Sequence, residues 1–123
     1  MPHGTFVWNE LMTSDVEKAK AFYSAIIGWT FDGMPMPNGT YWLAKVEGKL
    51  VAGIMDMTSV VPPGTPPHWF AYIEVDDVDA RLKKVPENGG KVCREPFDIP
   101  DVGRIAIIAD STGAMVGLMT SKR

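Results

Sequence analysis

The stretch TSDVEKAKAFYSAIIGW, residues 13–29, decides how this chain is read. Ser14 and Glu17 have the spacing of a capping box, and Val16, Ala19, Phe22, Tyr23 and Ile26 recur at helical intervals. The segment therefore predicts an amphipathic helix with one buried face. Gly28 is placed to end it in a left-handed conformation. FVWNEL, residues 6–11, has the alternation of a strand, and Trp8 and Glu10, two apart, project from the same face. WTF at residues 29–31, TYWLAKV at 40–46 and LVAGIMDM at 50–57 read as three more strands, with turns at Asn38-Gly39 and Gly48. The order is strand, helix, strand, strand, strand.

SVVPPGTPPH, residues 59–68, interrupts this pattern with four prolines between Pro62 and Pro67 and reads as a connector. Beyond it the order repeats. WFAYIEV is a strand, Asp77 caps a helix over VDARLKKV, Gly89-Gly90 stops it, and KVCREPF, GRIAIIAD and AMVGLMTS are strands. Setting Asp15 against Asp77 pairs Trp8 with Phe70 and Gly28 with Gly90 without a gap. Slippage in the last turn brings VAGIM onto MVGLM, pairing Gly53 with Gly117. Pro86 should make the second helix shorter than the first. The expectation is one α+β domain over residues 1–123. Module one covers about 1–60, the connector 61–67 and module two about 68–123.

Bulk properties exclude several functions. At 123 residues and net charge −3, with Lys and Arg dispersed, the chain has no electrostatic footprint for nucleic acid or anionic lipid. Cys93 is the single cysteine, which rules out an intrachain disulfide and suits a reducing compartment; it is expected as a small buried hydrophobe. The start MPHGTFVW lacks a basic segment followed by an apolar one, and no apolar run approaches the roughly 20 residues of a membrane span. A soluble, cytoplasmic protein is expected.

Two βαβββ modules carrying SDVEKAKAFYSAIIGW and VDDVDARLKK followed by NGG resemble the vicinal oxygen chelate superfamily. That group includes glyoxalase I, extradiol dioxygenases and the bleomycin- and fosfomycin-resistance proteins. FVWNELMTSDVEKAKAFY, PPHWFAYIEVDDVDA and FDIPDVGRIAIIADSTGA look more narrowly like small bacterial glyoxalase-like proteins. The resemblance implies two tandem βαβββ modules forming a curled mixed sheet around a central cavity. In the metal-dependent members it implies one divalent ion held by the first and last strands of each module. Carried over, those ligand positions are Trp8, Phe70, Gly53 and Gly117. Indole only donates, phenyl has no lone pair and glycine has no side chain, so no metal is expected there, and no cofactor. Met12 stands where glyoxalases commonly hold glutathione's carboxylate with an arginine. A relocated site of His68, Glu10 and Glu74 is the remaining metal alternative.

The expected cavity face has Phe6, Trp8, Glu10 and Met12 on strand one, and His68, Phe70, Tyr72 and Glu74 on its counterpart. The last strands add Val51, Gly53 and Met55, with Met115, Gly117 and Met119 opposite. The ligand-binding set is accordingly Trp8, Glu10, Met12, Gly53, Met55, His68, Phe70, Tyr72 and Gly117. The two glycines are expected to leave room for a flat ligand between Trp8 and Phe70. Glu74, nearer a strand end, should be solvated, His3 idle, and Asp98, Asp101 and Arg104 part of a charged loop. This predicts binding of a small, partly aromatic or hydrophobic molecule, of the resistance or sequestration type. Its rivals are a metal-dependent glyoxalase- or dioxygenase-type enzyme and a metal-independent acid/base catalyst using Glu10 with His68. A homodimer with modules pairing across subunits is the one protein partner considered.

Overall fold

The computed structural model describes residues 2–37, 39–58 and 61–122. Asn38 of the expected Asn38-Gly39 turn, and residues 59–60 at the head of the proline-rich connector, lie outside the described residues. Eight strands and two helices follow in the expected order: β1 Phe6–Thr13, α1 Val16–Ile27, β2 Thr30–Met36, β3 Gly39–Val46 and β4 Lys49–Asp56, then β5 His68–Glu74, α2 Val78–Leu82, β6 Lys91–Ile99, β7 Gly103–Ala109 and β8 Met115–Ser121. The class is α+β, built as two βαβββ modules. The chain divides into two compact units, Trp8–Trp69 and Met1–Val7 with Phe70–Arg123.

In the first unit the strands are ordered β2-β3-β4-β1, with β1 parallel to β4. In the second the order is β5-β8-β7-β6, with β5 parallel to β8. Glu10 is opposite Gly53 in the first parallel pair, and Tyr72 opposite Gly117 in the second. The repeat therefore extends to register, with each glycine beside the same point of its module's first strand. Glu47 and Gly48 both have positive φ, the requirement of a tight two-residue hairpin turn between β3 and β4.

Local chemistry sets the helix ends, with two departures from expectation. Asp15, rather than Ser14, caps α1: its carboxylate accepts the Lys18 N–H at 3.0 Å, while Asp15's own N–H donates to the Thr13 hydroxyl. Asp77 repeats the arrangement, accepting from the Ala80 N–H at 3.2 Å. Gly28 closes α1 with φ 75. In the second unit the left-handed stop is Gly89 rather than Gly90, because α2 ends at Leu82 and a separate 3-10 turn at Pro86–Asn88 intervenes. Pro86 has no N–H to continue a helix, which accounts for the shortening.

The two helices attach differently. α2 buries Val78 and Leu82 against Val75, Ala106 and Leu118, with Ile73, Val85, Val92 and Ile108 around them. Full burial of a Val or Leu side chain such as Val78 or Leu82 contributes about 1.5–3 kcal/mol. Arg104 on β7 adds a strap, its Nε donating to Asp79 of α2 at 2.9 Å and its Nη1 to Asp98 of β6 at 3.2 Å. Asp98 and Arg104 thus belong to strand ends, and only Asp101, paired with Lys122, lies in the turn between them. The expected buried face of α1 is not found: no residue of α1 is buried, and Phe22, Ile26 and Ile27 are exposed. Its attachment is aromatic and cationic instead. Tyr23 stacks on Trp29 and meets Trp69 edge-on, and the Lys20 ammonium sits 3.1 Å over the Trp42 ring. Cys93, expected buried, is exposed.

At the start of the second unit Gly4 and Thr5 exchange backbone hydrogen bonds with Glu74. His3, expected to be idle, accepts the Asp76 N–H through Nδ1 at 3.0 Å. Asp76 also takes two hydrogen bonds from Arg81 at 2.8 Å, and these hold its carboxyl down at about 2.

Two outcomes follow. Leu82→Ala should lower the free energy of unfolding by about 2–5 kcal/mol. Ile26→Ala, at an exposed site, should change it by no more than about 0.5 kcal/mol, with denaturant titration measuring both. Because the folded carboxyl of Asp76 titrates below its ordinary 3.8, its contribution is present above that value and lost as pH falls toward about 2. NMR titration of the Asp76 carboxyl should show the low midpoint, and Arg81→Met should return it toward the ordinary range.

Candidate functional site

The centre of the first unit is a fully buried carboxylate. Glu10 on β1 is 0% exposed, and an ionised group there survives only with donors around it. Tyr41 on β3 supplies one, its Oη–H donating to Glu10 Oε2 at 2.6 Å, a length expected of a phenol bonded to a carboxylate. The same Oη accepts the Trp8 Nε1–H at 3.0 Å. Trp8, Tyr41 and Glu10 form one directed chain of hydrogen bonds across two strands.

Tyr41 can reach this place because of Gly53. A Cβ built on Gly53 would fall inside the Tyr41 phenol, so the tyrosine fills the hollow left by the absent side chain. The second unit solves the same problem from a different strand. There Tyr72 of β5 lies over Gly117, in the hollow a Cβ would need. Phe70 packs edge-on against Tyr72 at 5.3 Å between ring centres. Tyr72 occupies the position equivalent to Glu10; the shorter glutamate leaves its own glycine uncovered, and a tyrosine from β3 takes the space. The expectation that Gly53 and Gly117 leave room for a flat ligand is corrected at the glycines themselves: two tyrosines occupy that room.

This geometry tests the metal site that the resemblance implies. At the four positions stand an indole whose N–H is already donated, a phenyl ring and two glycines under tyrosine rings. These residues do not fit a metal. Among the described residues no group of three or more His, Cys, Asp and Glu side chains is placed to hold a metal ion. The relocated alternative loses Glu74 as well. Expected in solvent, that residue is 2% exposed, and its carboxylate is taken up by the backbone N–H of Ser121 at 3.0 Å and by the Ser121 hydroxyl.

The remaining members of the expected set divide by burial. Trp8, Met12, Phe70 and Tyr72 are buried, Met55 is half-buried, and Phe6, Val51 and Met115 are exposed. His68, half-buried, has its Nδ1 2.9 Å from the Pro66 carbonyl, which can only accept, so Nδ1 carries the proton in that contact. Tyr41 is the residue that sequence reasoning missed. Its alternation with Leu43 along β3 marked an inward position, but nothing local indicates a partner 31 residues away.

Tyr41→Phe, which removes the phenol's hydrogen bond to Glu10 and the acceptor of the Trp8 N–H, should destabilise by about 1–3 kcal/mol. Gly53→Ala should cost about 2 kcal/mol or more through overpacking. Adding Tyr41→Phe should relieve that clash only in part, because Oη is its closest atom but the ring carbons behind it also overlap the new Cβ, whereas the double variant Gly53→Ala/Tyr41→Ala should be less destabilised than the sum of its single changes. Equilibrium unfolding of these single and double variants forms the check.

Among the described residues no helix is long and apolar enough to cross a membrane. The chain is 46% identical over 122 residues to the protein named "Putative glyoxylase CFP32" of Mycobacterium tuberculosis (strain CDC 1551 / Oshkosh), a match covering 98% of this chain and 47% of that protein. It is 34% identical over 123 residues to "Anthracycline biosynthesis protein DnrV" of Streptomyces peucetius, covering 90% of this chain and 45% of that one. The chain thus spans about half the length of these curated relatives. A solved structure of Streptomyces coelicolor methylmalonyl-CoA epimerase in complex with 2-nitronate-propionyl-CoA shares the fold, with TM-score 0.71 and 17% identity over 99% of this chain and 100% of that one. The family model of the Glyoxalase/Bleomycin resistance protein/Dioxygenase superfamily matches residues 5–118, and with the doubled βαβββ architecture and its matched registers this chain belongs to that superfamily.

Proposed function

We propose that this chain binds a small, partly aromatic molecule and does so without a metal at the superfamily's ligand positions. Its role in this reading is sequestration or resistance rather than glyoxalase-type turnover. The observation that carries the reading is the Trp8–Tyr41–Glu10 chain over Gly53: the place of a metal ligand pair is taken by aromatic rings and one hydrogen-bonded carboxylate. Aromatic surface with sparse polar groups suits a small organic ligand. In this proposal Trp8, Phe70 and Tyr72 are candidate aromatic walls, each within its own unit, Glu10 and His68 are candidate polar groups, and Met12 and Met55 are adaptable thioether surface. The relative named for anthracycline biosynthesis supports an aromatic ligand class. A cytoplasmic setting and a homodimer belong to the same proposal, and solution mass tests the latter.

One observation favours a second reading. A buried carboxylate joined to a phenol is also the raw material of acid/base catalysis, with Glu10 exchanging a proton with substrate and Tyr41 positioning it.

Titration with an anthracycline, followed through tryptophan fluorescence, separates these readings. Saturable binding that survives EDTA, weakened about tenfold or more by Phe70→Leu, is the expected outcome. Turnover of the hemithioacetal of methylglyoxal and glutathione, lost in Glu10→Gln with the fold intact, would establish the enzyme instead. Stoichiometric Ni, Zn or Fe retained on purification and required for that turnover would overturn the metal-independent reading.

A further inference from the structure

A second polar feature lies wholly within the unit that carries Phe70 and Tyr72. Residues paired across a ladder share a face of the sheet, and the pairs Arg94–Ile107, Ile107–Gly117 and Gly117–Tyr72 form one continuous row. Arg94 therefore stands on the face of Tyr72, about 14 Å away across three strand spacings. The opposite face carries Val92 and Ile108, which pack with Val78 and Leu82 of α2.

Arg94 is on this face because of an irregularity in β6. Val92 pairs with Ile108, and in unbroken register Arg94 would share the face of Val92. The register shifts between Val92 and Arg94, which turns the arginine to the other side, and shifts again before Phe97. Bulges commonly re-aim a side chain near a site. The guanidinium carbon then sits over the Phe97 ring, 3.9 Å from its centre.

What this placement leaves undone is informative. Arg94 Nη1 is buried and has no hydrogen-bond partner. A guanidinium can only donate, and a buried donor without an acceptor is rare in a folded chain. The carboxylate on the same face, Glu74, is engaged by Ser121. Arg81 and Arg104, by contrast, are both paired with aspartates.

We propose that Arg94 receives the carboxylate of an aromatic acid, with Phe97 holding the guanidinium plane in position beneath it. A planar fork matches a carboxylate, and a single guanidinium on an apolar face matches a monoanion better than a phosphate dianion. The assignment rests on the reading that this chain binds an aromatic molecule, and it names the ligand's acidic group.

The test compares 2-naphthoate with its neutral analogue 2-naphthamide by calorimetry. The wild-type chain should bind the acid at least tenfold more tightly than the amide. Arg94→Gln should abolish that preference, bringing the acid's affinity down to that of the amide, and Arg94→Lys should retain part of it. In the wild type the Arg94 Nε–Hε resonance should shift with the acid and not with the amide, a readout independent of any variant's folding. Equal affinity for the two probes, or an unchanged Arg94 resonance, would overturn the assignment and leave aromatic binding standing, the donor being satisfied by water. Failure of both naphthalene probes would also overturn it, and the anthracycline titration then decides separately whether aromatic binding falls with it.

Discussion

A carboxylate removed from water sets the terms on which the first unit is built. Glu10 has no exposure, so the strands around it have to bring a donor, and the donor that arrives is Tyr41. That requirement propagates outward. The phenol needs volume, which only a glycine at position 53 provides; its oxygen needs a donor of its own, which Trp8 supplies; and β1, β3 and β4 must keep the register that aligns all of them. Burial of a charge is expensive unless hydrogen-bonded, so the cluster tolerates little rearrangement.

The second unit shows what the same scaffold does without that carboxylate. With Tyr72 in the place of Glu10, the ring itself covers Gly117 and no tyrosine from a neighbouring strand is required. Its polar investment lies elsewhere, in Glu74 bound by Ser121 and in Arg94 turned by a bulge onto the Tyr72 face. The two modules thus share a backbone plan and place their charged groups differently. At the positions where the resemblance would place metal ligands, neither module carries a side chain that suits one.

Much of the fold was legible in local patterns. Helix periodicity, the aspartate caps, Gly28 and the helix-shortening effect of Pro86 act within a few residues, so short windows contain their whole cause. Where expectation and structure part, the cause is a partner from another element. Glu74 reads as a solvated strand end until Ser121 of β8 bonds it. The apolar spacing of α1 correctly marks a helix, yet it does not say that Tyr23, Trp29 and Trp69 bind that helix while Phe22 and Ile26 stay in solvent.

For the candidate site, residue types alone were enough to expect no metal ligand from Trp8, Phe70, Gly53 or Gly117, because ligand chemistry belongs to the side chain and needs no coordinates. The sequence by itself thus determined the doubled module and the order of its elements. Only the tertiary structure decided what fills the vacated space. Tyr41 meets Glu10 across 31 residues of chain, and Arg94 is turned onto the sheet face of Tyr72 by a bulge that shifts register. Both follow from strand pairing and side-chain volume, which emerge only when distant segments pack.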